Sequence, residues 1–553
     1  MTTAAVTTAA MATMMDVPLT IELIVARAER WTAGSEIVSR RPDRSLHRTT
    51  YGSVVARARR LARALVAAGV GRGDRVATLM WNHAEHLEAY LGIPLAGGVT
   101  HTLNLRLHPD EIAYIATDAR DRFVIVDDVL LPLLDKVIAA GARFERVIVV
   151  GAGGPRAGEL AYEDLLAGAP DDAALPVIAE HDALGTCYTS GTTGRPKGVV
   201  YSHRSTILHT LVAAMPDALS ISRADTVLPV VPMFHVNAWG LPFVAAMVGA
   251  RLVFPGPHLD PASLLDLLAG ERVTLGAGVP TIWVGIREAL DARPGAWQLQ
   301  PGLRMIVGGA AAPEQLIRDF DRLGMTLLHA WGMTETSPLG VVSRIPPELA
   351  SADEATRYRL RAKQGLPMPL VDLRVRNADG DVPTDDRTNG ELQVRGPWVA
   401  GSYAGGHAPD RWTDDGWFRT GDVARLDGHG FVQLTDRVAD LIKSGGEWIA
   451  TQEVESAIMG HPAVKEAAVI GVPHPKWSER PIAAVVLRPG HDAAAVTLEA
   501  LRAHLGDRFP KFWLPDAVVL VEAIPRTSTG KFKKSELRAA YLGFFADAQP
   551  SSL

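Results

Sequence analysis

The sequence predicts an α/β fold: a large N-terminal domain with two βαβ-type subdomains and a β-rich subdomain, followed by a small α+β C-terminal domain. From about residue 19 to 350, amphipathic segments alternate with short apolar segments, which is the pattern of βαβ units. After about residue 365, short alternating strands are separated by Gly, Asp and Pro, as in antiparallel hairpins. From about residue 439, a helix–strand–strand pattern begins, and the remaining chain is long enough for an independent domain.

The individual segments follow this division in chain order. Residues 51–69 form an amphipathic helix pattern that ends at Gly69, because glycine readily adopts the left-handed conformation that closes many helices. The first block continues with a helix at 83–97 and strands at 75–81, 99–104, 122–128 and 146–151. The second block contains the segments 207–215, 250–256, 264–280 and 303–313. The hairpin strands lie within 371–383, 390–403 and 430–437, and the small domain contains 454–475, 481–490, 498–506, 517–525 and a lysine-rich helix from Lys531.

Composition and charge exclude several classes of protein. The chain has 553 residues and a formal net charge of −6, so no global basic field attracts nucleic acid. Its one cysteine, Cys187, cannot form an intrachain disulfide, which fits a reducing compartment. No basic residue precedes Arg27, unlike in a secretory signal, and no apolar run is long enough for a transmembrane segment. We therefore expect a cytoplasmic protein with a disordered tail at residues 1–18.

One loop combines Gly, Ser, Thr and a lysine between two apolar, strand-like segments. It runs through "YTSGTTGRPKG", from Tyr188 to Gly198. Backbone amides and hydroxyls in such a loop form a concave site for phosphate oxygens, and Lys197 adds a positive charge. The spacing differs from that of a Walker A loop, because Lys197 follows Pro196 rather than Gly. The sequence therefore favours a phosphate-binding loop of another kind over a plain surface loop.

Six motifs, in order, resemble those of the adenylate-forming enzymes, which include acyl-CoA synthetases, luciferases and peptide-synthetase adenylation domains. They are the loop above, "GGAAAP" (308–313), "HAWGMTETSP" (329–338), "GWFRTGDVARLDGHGFV" (416–432), "DRVADLIKSGGEWI" (436–449) and "PRTSTGKFKK" (525–534). The stretches "HVNAWGLPF" (235–243) and "HPKWSERP" (474–481) are most similar to the medium- and long-chain fatty acyl-CoA synthetases. The resemblance implies that a carboxylic acid, ATP and CoA are converted to acyl-CoA, AMP and pyrophosphate through an acyl-adenylate, with Mg²⁺.

The resemblance also implies which residues bind the nucleotide. Glu335 would ligate Mg²⁺, and Thr334 would contact the α-phosphate. Trp331 stands where the family usually has tyrosine, and either ring can stack on adenine. The other implied residues are Thr189, Ser190, Gly191, Thr192, Thr193, Gly194 and Lys197 for the β- and γ-phosphates, Asp422 and Arg437 for ribose, and Gly308, Gly309, Ala310 and Gly332 beside adenine.

The small domain is expected to serve both half-reactions by rotating between them. The resemblance implies domains at 19–436 and 437–553. It assigns Lys531 to the α-phosphate and the attacking carboxylate, although Lys533 and Lys534 lie close by. Gly445 and Gly446 would line the pantetheine tunnel. Relatives rotate about an Asp or Lys where this chain has Ala439, so the identity of the hinge residue stays open.

The expected acyl site is formed by His235, Val236, Trp239 and the segment from Gly308 to Ala311. His235 is a candidate for catalysis, with a core or gating role as the alternative. Trp239 resembles the aromatic residue that gates the acyl tunnel in long-chain relatives, although an isolated tryptophan in an apolar run more often packs in a core. His83 and His86 lie three residues apart, not four as in zincins, so we expect a polar helix face there.

Several functions remain open at this point. The acid is expected to be a medium- or long-chain fatty acid, and the alternative is an aryl or short functionalised acid such as 3-methylmercaptopropionate. A carrier-protein adenylating enzyme is a further possibility. Outside this class, Ser528–Lys531 matches the S-x-x-K of serine hydrolases, and a non-catalytic ATP-binding protein would share the loop. The resemblance also suggests a homodimer.

Overall fold

A computed structural model describes residues 13–189, 195–444, 447–526 and 532–545 of the chain. The strands in the first half are β1 (Glu36–Arg40), β2 (Leu46–Thr50), β3 (Arg75–Leu79), β4 (Val99–Thr102), β5 (Phe123–Asp127), β6 (Arg146–Val150), β7 (Leu160–Ala161), β8 (Ala183–Tyr188), β9 (Gly198–Ser202), β10 (Thr226–Pro229), β11 (Arg251–Phe254), β12 (Leu275–Gly278) and β13 (Arg304–Val307). Those in the second half are β14 (Thr326–Gly332), β15 (Leu339–Val342), β16 (Leu366–Pro367), β17 (Asp372–Asn377), β18 (Gly380–Asp381), β19 (Gly390–Arg395), β20 (Phe418–Leu426), β21 (Val432–Arg437), β22 (Ile442–Ser444), β23 (Glu447–Ile449), β24 (Val464–His474), β25 (Ser478–Leu487) and β26 (Ala517–Leu520).

The α-helices connect and cover these strands. They span Ile21–Trp31, Tyr51–Ala67, Ala84–Leu95, Pro109–Ala119, Leu131–Ala139, Tyr162–Ala167, His203–Ala214, Leu241–Val248, Pro261–Gly270, Pro280–Ala292, Glu314–Arg322, Glu354–Ala362, Thr451–Met459, Leu498–Leu505 and Lys534–Ala540. The sequence sets their ends locally. The Ser202 hydroxyl, for example, accepts from the Ser205 amide at the start of His203–Ala214, and Gly69 at φ 95° follows the end of Tyr51–Ala67. Among the described residues, no helix is long and apolar enough to cross a bilayer.

Two large sheets, both mostly parallel, confirm the predicted βαβ character. The first has the strand order β7-β6-β5-β3-β4-β8-β9 and is parallel except for the β8–β9 hairpin. The second has the order β16-β15-β14-β13-β12-β10-β11-β1-β2, with antiparallel pairs at its two ends. β1 comes before the first sheet in the chain but pairs with β11 of the second. The second sheet is therefore built from two chain segments, one before and one after the segment that forms the first sheet.

The later part of the chain forms two smaller sheets. Strands β17–β21 make an antiparallel sheet in the order β18-β17-β19-β20-β21, as the Gly-, Asp- and Pro-punctuated pattern predicts. Strands β22–β26 form the last sheet, against which the helix Thr451–Met459 packs. In the register of β20 and β21, Asp422 lies opposite Arg437.

The helix Ala84–Leu95 joins the two large sheets. Every residue in it is buried, and it contacts β1 of one sheet as well as β3 and β4 of the other. The predicted polar face at its start is wrong, because His83 and His86 are buried too. His83 bonds to Glu85 and Asp127, each at 2.9 Å, and although burial opposes its charge, these carboxylates raise the pKa of His83 to about 10. Ion pairing, which periodicity does not reveal, allows these charged groups to be buried.

Candidate active site

A single cavity of about 1120 Å³ opens where the two large sheets meet the hairpin sheet. It brings together sequence-predicted residues that are far apart in the chain: Thr189, Lys197, His235, Val236, Trp239, Gly308, Gly309, Trp331, Gly332, Thr334, Glu335 and Arg437. Ala439, at the position of the uncertain hinge residue, lines it as well. Its lining includes one set of polar and charged residues around Glu335 and Arg437, and one set of aliphatic residues from β13 and the segments that follow β10 and β12. We call these the nucleotide end and the acyl end.

The base of the phosphate loop is closed by two hydrogen bonds. The amide of Thr189 donates to the carbonyl oxygen of Lys197 at 3.0 Å, and the amide of Lys197 donates to the Thr189 hydroxyl at 3.1 Å. They continue the β8–β9 hairpin, so the two residues flanking the loop are held together at the cavity. The loop residues Ser190, Gly191, Thr192, Thr193 and Gly194 lie outside the described residues.

Glu335 and Lys197 are linked through Tyr403. The Tyr403 hydroxyl donates to a carboxylate oxygen of Glu335, and the Lys197 ammonium lies 5.7 Å from the centre of the Tyr403 ring. Burial and the Glu335 charge raise the pKa of Tyr403 well above its usual range, which keeps the phenol protonated as a donor. Glu335 itself is buried. Thr334 beside it is fixed by a hydrogen bond from the Tyr201 hydroxyl to its carbonyl oxygen, at 2.9 Å.

Trp331, Asp422 and Arg437 form a second polar group. The indole Nε1 of Trp331 donates to one carboxylate oxygen of Asp422 at 2.9 Å, and Nε of Arg437 lies 3.4 Å from the other. The indole fits because its partner strand has Gly340: a Cβ there would come within 2.7 Å of the ring. The tryptophan that replaces the usual tyrosine is thus hydrogen-bonded to the carboxylate that the sequence assigns to ribose. Since a carboxylate has about four acceptor sites, Asp422 can still accept from hydroxyl groups.

The acyl end is built from aliphatic side chains. It has no charged group among its described lining residues, which are Leu219, Val230, Val231, Val236, Leu241, Leu259, Val279, Ile282, Ile306 and Leu339. The Trp239 ring closes it against Gly308, where an added Cβ would come within 3.2 Å of the indole. Gly308 is therefore needed for close approach of the ring. His235 lines the same cavity at the junction with the nucleotide end.

Some predicted residues are not brought to the cavity wall or cannot be placed. Ala310 and Ala311 are exposed and do not line the cavity. Asp422 is buried and does not line it either, although its partners Trp331 and Arg437 do. Gly445, Gly446 and Lys531 lie outside the described residues. The two lysines next to Lys531 have other contacts: Lys533 pairs with Glu536 at 2.6 Å, and Lys534 is buried against Glu455 at 2.6 Å.

The cavity also contains residues that the sequence reasoning missed. Tyr403, Arg411 and Arg419 line the nucleotide end, and Arg106 lies over the Phe234 ring at 5.8 Å from its centre. Tyr403 stands in "GSYAGG", which has no periodicity or chemical signature to mark it. Arg106 follows β4 in a polar loop, so only the topology brings it near the phosphate loop. Arg419 lies inside the motif at 416–432, whereas no pattern in the sequence marks the other three residues.

Comparisons with known proteins agree with this arrangement. Residues 26–404 match the AMP-binding enzyme family, and residues 453–531 match the AMP-binding enzyme C-terminal domain. The chain is 48% identical to a long-chain-fatty-acid–CoA ligase of Thermus thermophilus over 97% of this chain and 98% of that protein. It is 42% identical to a medium-chain-fatty-acid–CoA ligase of Ectopseudomonas oleovorans over 96% of this chain and 97% of that protein.

A solved structure supports the same relationship at the level of the fold. The crystal structure of ATP-bound MatB from Rhodopseudomonas palustris matches with a TM-score of 0.80 and 28% identity, over 96% of this chain and 100% of that one. The two family matches cover most of the chain: the first includes most of the cavity lining, and the second includes β24, β25 and β26. The chain therefore belongs to the AMP-binding family of adenylate-forming enzymes and is an acyl-CoA synthetase, an AMP-forming acid–CoA ligase.

Proposed function

We propose that this enzyme activates a medium- or long-chain aliphatic carboxylic acid with ATP and Mg²⁺ and transfers the acyl group to CoA. One observation carries the proposal: a single cavity joins a polar end, with Lys197 and Glu335, to an uncharged aliphatic end. An alkyl tail gains free energy from burial against such a wall, whereas a polar or charged acid would lose hydration there without compensation.

The proposed adenylation step depends mainly on positioning and charge. The carboxylate of the acid attacks the α-phosphorus of ATP, the bond to the β-phosphate oxygen breaks, and pyrophosphate leaves. Lys197 and the loop 190–194 neutralise the leaving phosphates, while Thr334 contacts the α-phosphate. Trp331 stacks on adenine, and Asp422 and Arg437 contact ribose. In this proposal Lys531 contacts the carboxylate and the α-phosphate and stabilises the charge that develops between them.

The residues at the nucleotide end suit Mg²⁺. Its preferred ligands are carboxylate and phosphate oxygens, and it commonly takes only one or two protein carboxylates besides substrate phosphates. Glu335 offers such a carboxylate, oriented by Tyr403. In the part of the chain that the structure describes, no cluster of His, Cys, Asp or Glu is arranged to hold a metal alone. Glu335 would thus share the ion with ATP, and the ion would reduce the negative charge on the phosphates.

In the second half-reaction, CoA thiolate attacks the acyl carbonyl and AMP leaves. We propose that residues 437–553 act as a small domain that changes orientation between the steps, with Gly445 and Gly446 lining the pantetheine path. In the present arrangement this domain is held by contacts across the boundary. The Thr451 amide donates to Asp436 at 2.5 Å, and Arg425 pairs with Glu453 at 3.1 Å. These bonds would have to break on rotation.

An ATP–pyrophosphate exchange assay with a panel of acids tests the proposal. The panel runs from acetate to palmitate and includes 3-methylmercaptopropionate and cinnamate. We expect exchange to depend on the acid and to be fastest with a medium- or long-chain member, and CoA-dependent AMP release to follow the same order. A maximum at 3-methylmercaptopropionate or cinnamate would contradict the aliphatic assignment.

The same assay separates the remaining alternatives. A hydrolase acting through Ser528 and Lys531, which lie outside the described residues, would need no ATP and give no exchange. A non-catalytic ATP-binding protein would bind nucleotide without exchange. Exchange without transfer to CoA would favour a carrier-protein adenylating enzyme.

Two further properties remain predictions. We infer a homodimer in solution, which light scattering coupled to size exclusion would test. We also infer a cytoplasmic location, which fractionation of the native cells would test.

A further inference from the structure

The wall of the acyl end contains a backbone turn of opposite hand to a normal helix. Val236, Asn237, Ala238 and Trp239 have φ of 45°, 54°, 47° and 58°, and Gly240 continues the turn at 76°. Residues other than glycine disfavour this region, because Cβ approaches the following carbonyl oxygen, and runs of them are rare. Such a turn persists only where its surroundings hold it.

A buried tyrosine contacts this turn and the segment that leads into it. The single proton of the Tyr90 hydroxyl is shared between the carbonyl oxygen of Met233 and, at 3.2 Å, the side-chain oxygen of Asn237. Tyr90 is 1% exposed, and it belongs to the fully buried helix between the two large sheets. The Cys187 thiol, 3.6 Å from the same Asn237 oxygen, completes the contact. Asn237 is therefore fixed at the second position of the turn by a group from the other subdomain.

Asn82, just before the same helix, fixes the backbone that leads into the turn. Its side-chain amide donates to the carbonyl oxygens of Pro229 and Val231 at 3.0 and 2.9 Å, and its oxygen accepts from the Met233 amide at 2.7 Å. Since Val230, Val231 and Val236 line the cavity, Asn82 and Tyr90 hold a continuous part of its wall.

The turn determines where the Trp239 ring lies. The ring is close to Gly308 on β13's C-terminal side, with 3.2 Å between its Cη2 atom and an ideal Cβ at position 308. A relaxed turn would move the ring away from this contact and change the space at the acyl end. Neither Tyr90 nor Asn82 lines the cavity, so any effect they have on the acid must act through the turn.

We propose that Tyr90 is a positioning residue for acid selectivity: by anchoring Asn237 it holds the left-handed turn that presses Trp239 against Gly308. This inference rests on the proposed function, because it concerns the acyl end of that site. It extends the set of selectivity-determining residues to a side chain that never touches the acid.

The test compares Tyr90→Phe with Tyr51→Phe on the acid panel. Tyr51 is also fully buried, and its hydroxyl donates to the Ala250 carbonyl oxygen at 2.9 Å, away from the cavity wall. Each variant therefore loses one buried hydroxyl. For Tyr90→Phe we expect the ratio of kcat/KM between the preferred acid and acids two to four carbons shorter or longer to change about five- to tenfold, the factor of one net hydrogen bond. KM for ATP should stay within about twofold, and Tyr51→Phe should keep the wild-type ratio.

A double-mutant cycle identifies the route of the effect. Asn237→Gly removes the acceptor but keeps a residue that adopts positive φ freely. If both residues act through their shared hydrogen bond, Tyr90→Phe combined with Asn237→Gly should change the ratio no more than the larger single change. Additive effects would contradict the anchoring of Asn237 by Tyr90.

The remaining outcomes separate this inference from the proposed function. An active wild-type enzyme whose selectivity is the same in Tyr90→Phe and Tyr51→Phe would overturn the inference alone. Wild-type enzyme without exchange on any aliphatic acid would overturn both. Equal loss of kcat/KM for all acids, with a melting temperature lower than that of Tyr51→Phe, would show a merely structural role and would also overturn the inference.

Discussion

The two ends of the cavity are constructed in different ways. At the nucleotide end, side chains are fixed by directional bonds: Tyr403 to Glu335, and Trp331 and Arg437 to Asp422. At the acyl end, the wall is aliphatic and its geometry comes from a strained backbone turn at Val236–Trp239. Polar ligands need donors and acceptors at defined positions, whereas an alkyl chain needs only a space of the right shape.

This difference determines how each end should respond to substitution. A hydrogen-bonding group acts through its own atoms, so its removal should affect ATP or the adenylation step and leave the choice of acid alone. A wall residue acts through the volume it leaves, so its change should affect some acids more than others. Substitutions at each end test this distinction. A change in acid preference caused at the nucleotide end, or a change in KM for ATP caused at the acyl end, would contradict it.

The largest effect is expected from Lys531→Ala. Removal of one charge that contacts the transition state slows such reactions by about 10²–10³-fold. We expect this loss in ATP–pyrophosphate exchange, equally for all acids, whereas transfer to CoA from synthetic acyl-AMP should remain mostly intact. Single-turnover measurements of the two half-reactions check this.

Lys533→Ala is the matched control, because Lys533 is a nearby lysine whose ammonium is paired with Glu536 on the surface. It should leave both half-reactions close to wild type. Equal losses in both half-reactions of Lys531→Ala would contradict its role in adenylation, and a loss confined to some acids would place it functionally with the acyl end.

A smaller effect is expected from Asp422→Asn. The change keeps the shape of the side chain but removes the charge that Trp331 and Arg437 contact and that we propose to bind the ribose hydroxyls. Hydrogen bonds to charged groups contribute about 1.5–3 kcal/mol, so KM for ATP should rise roughly tenfold to hundredfold. KM for the acid and the order of acids should be unchanged in steady-state kinetics.

Asp415→Asn serves as the control, because Asp415 lies in the turn before β20. Its side chain is exposed and pairs with Arg374, whereas Asp422 is bonded to Trp331 and Arg437. The Asp415→Asn enzyme should have the same KM for ATP as the wild-type enzyme. If Asp422→Asn changed the order of preferred acids, then the two ends would not be independent.

The same difference explains what could be predicted from the sequence. Most residues of the nucleotide end could be predicted, because they lie in short motifs. A loop of Gly, Ser and Thr, or the carboxylate in "TGD", suggests a binding role from its own sequence without knowledge of the fold. Twelve predicted site residues line one cavity in the structure: Thr189, Lys197, His235, Val236, Trp239, Gly308, Gly309, Trp331, Gly332, Thr334, Glu335 and Arg437. The roles of these residues remain predictions, and the substitutions of Gly308 and Trp331 test two of them.

The parts that could not be predicted depend on tertiary structure. "HVNAWGL" carries no glycine before position 240, so nothing local indicates a left-handed turn from Val236. The contacts that hold it come from Tyr90, Asn82 and Cys187, which are distant in the chain. The pairing of β1 with β11 joins residues more than 200 positions apart and leaves no periodic signal. His83 is predicted to lie on an exposed polar face. It is buried instead, because Asp127 of β5 and Glu85 of the adjacent helix bond to its ring. In each of these examples the local structure depends on packing against distant parts of the chain, which the sequence of a single segment does not reveal.

At the acyl end, Gly308→Ala should produce the opposite signature to that of Asp422→Asn. The added methyl would lie 3.1 Å from the Ala330 carbonyl oxygen and 3.2 Å from the Trp239 ring, so the ring has to shift by a few tenths of an ångström. Overpacking of this kind costs about 1–3 kcal/mol, and a cost of about 1.4 kcal/mol would lower kcat/KM for the preferred acid about tenfold. Acids of other lengths should change by a different factor, with KM for ATP unchanged.

Gly270→Ala is a suitable control for the extra methyl, because nothing lies within 4 Å of its position. The panel of acids used for exchange gives the measurement. A uniform tenfold loss over all acids, or a rise in KM for ATP, would show that Gly308 belongs to the nucleotide end instead.

The smallest effect, and the sharpest test of the boundary between the ends, is expected from Trp331→Phe. The indole lines the cavity and is buried, and its Nε1 donates to Asp422. Phenylalanine keeps a ring that can stack on adenine but removes this one donor, so KM for ATP should rise about fivefold, the worth of a single net hydrogen bond. Selectivity among acids should not change if Trp331 acts only at the nucleotide end. Phenylalanine is also smaller than tryptophan, so the substitution would enlarge the acyl end if the indole formed part of its wall. A shift towards longer acids with unchanged KM for ATP would therefore mean that Trp331 belongs to the acyl end and not to the nucleotide end.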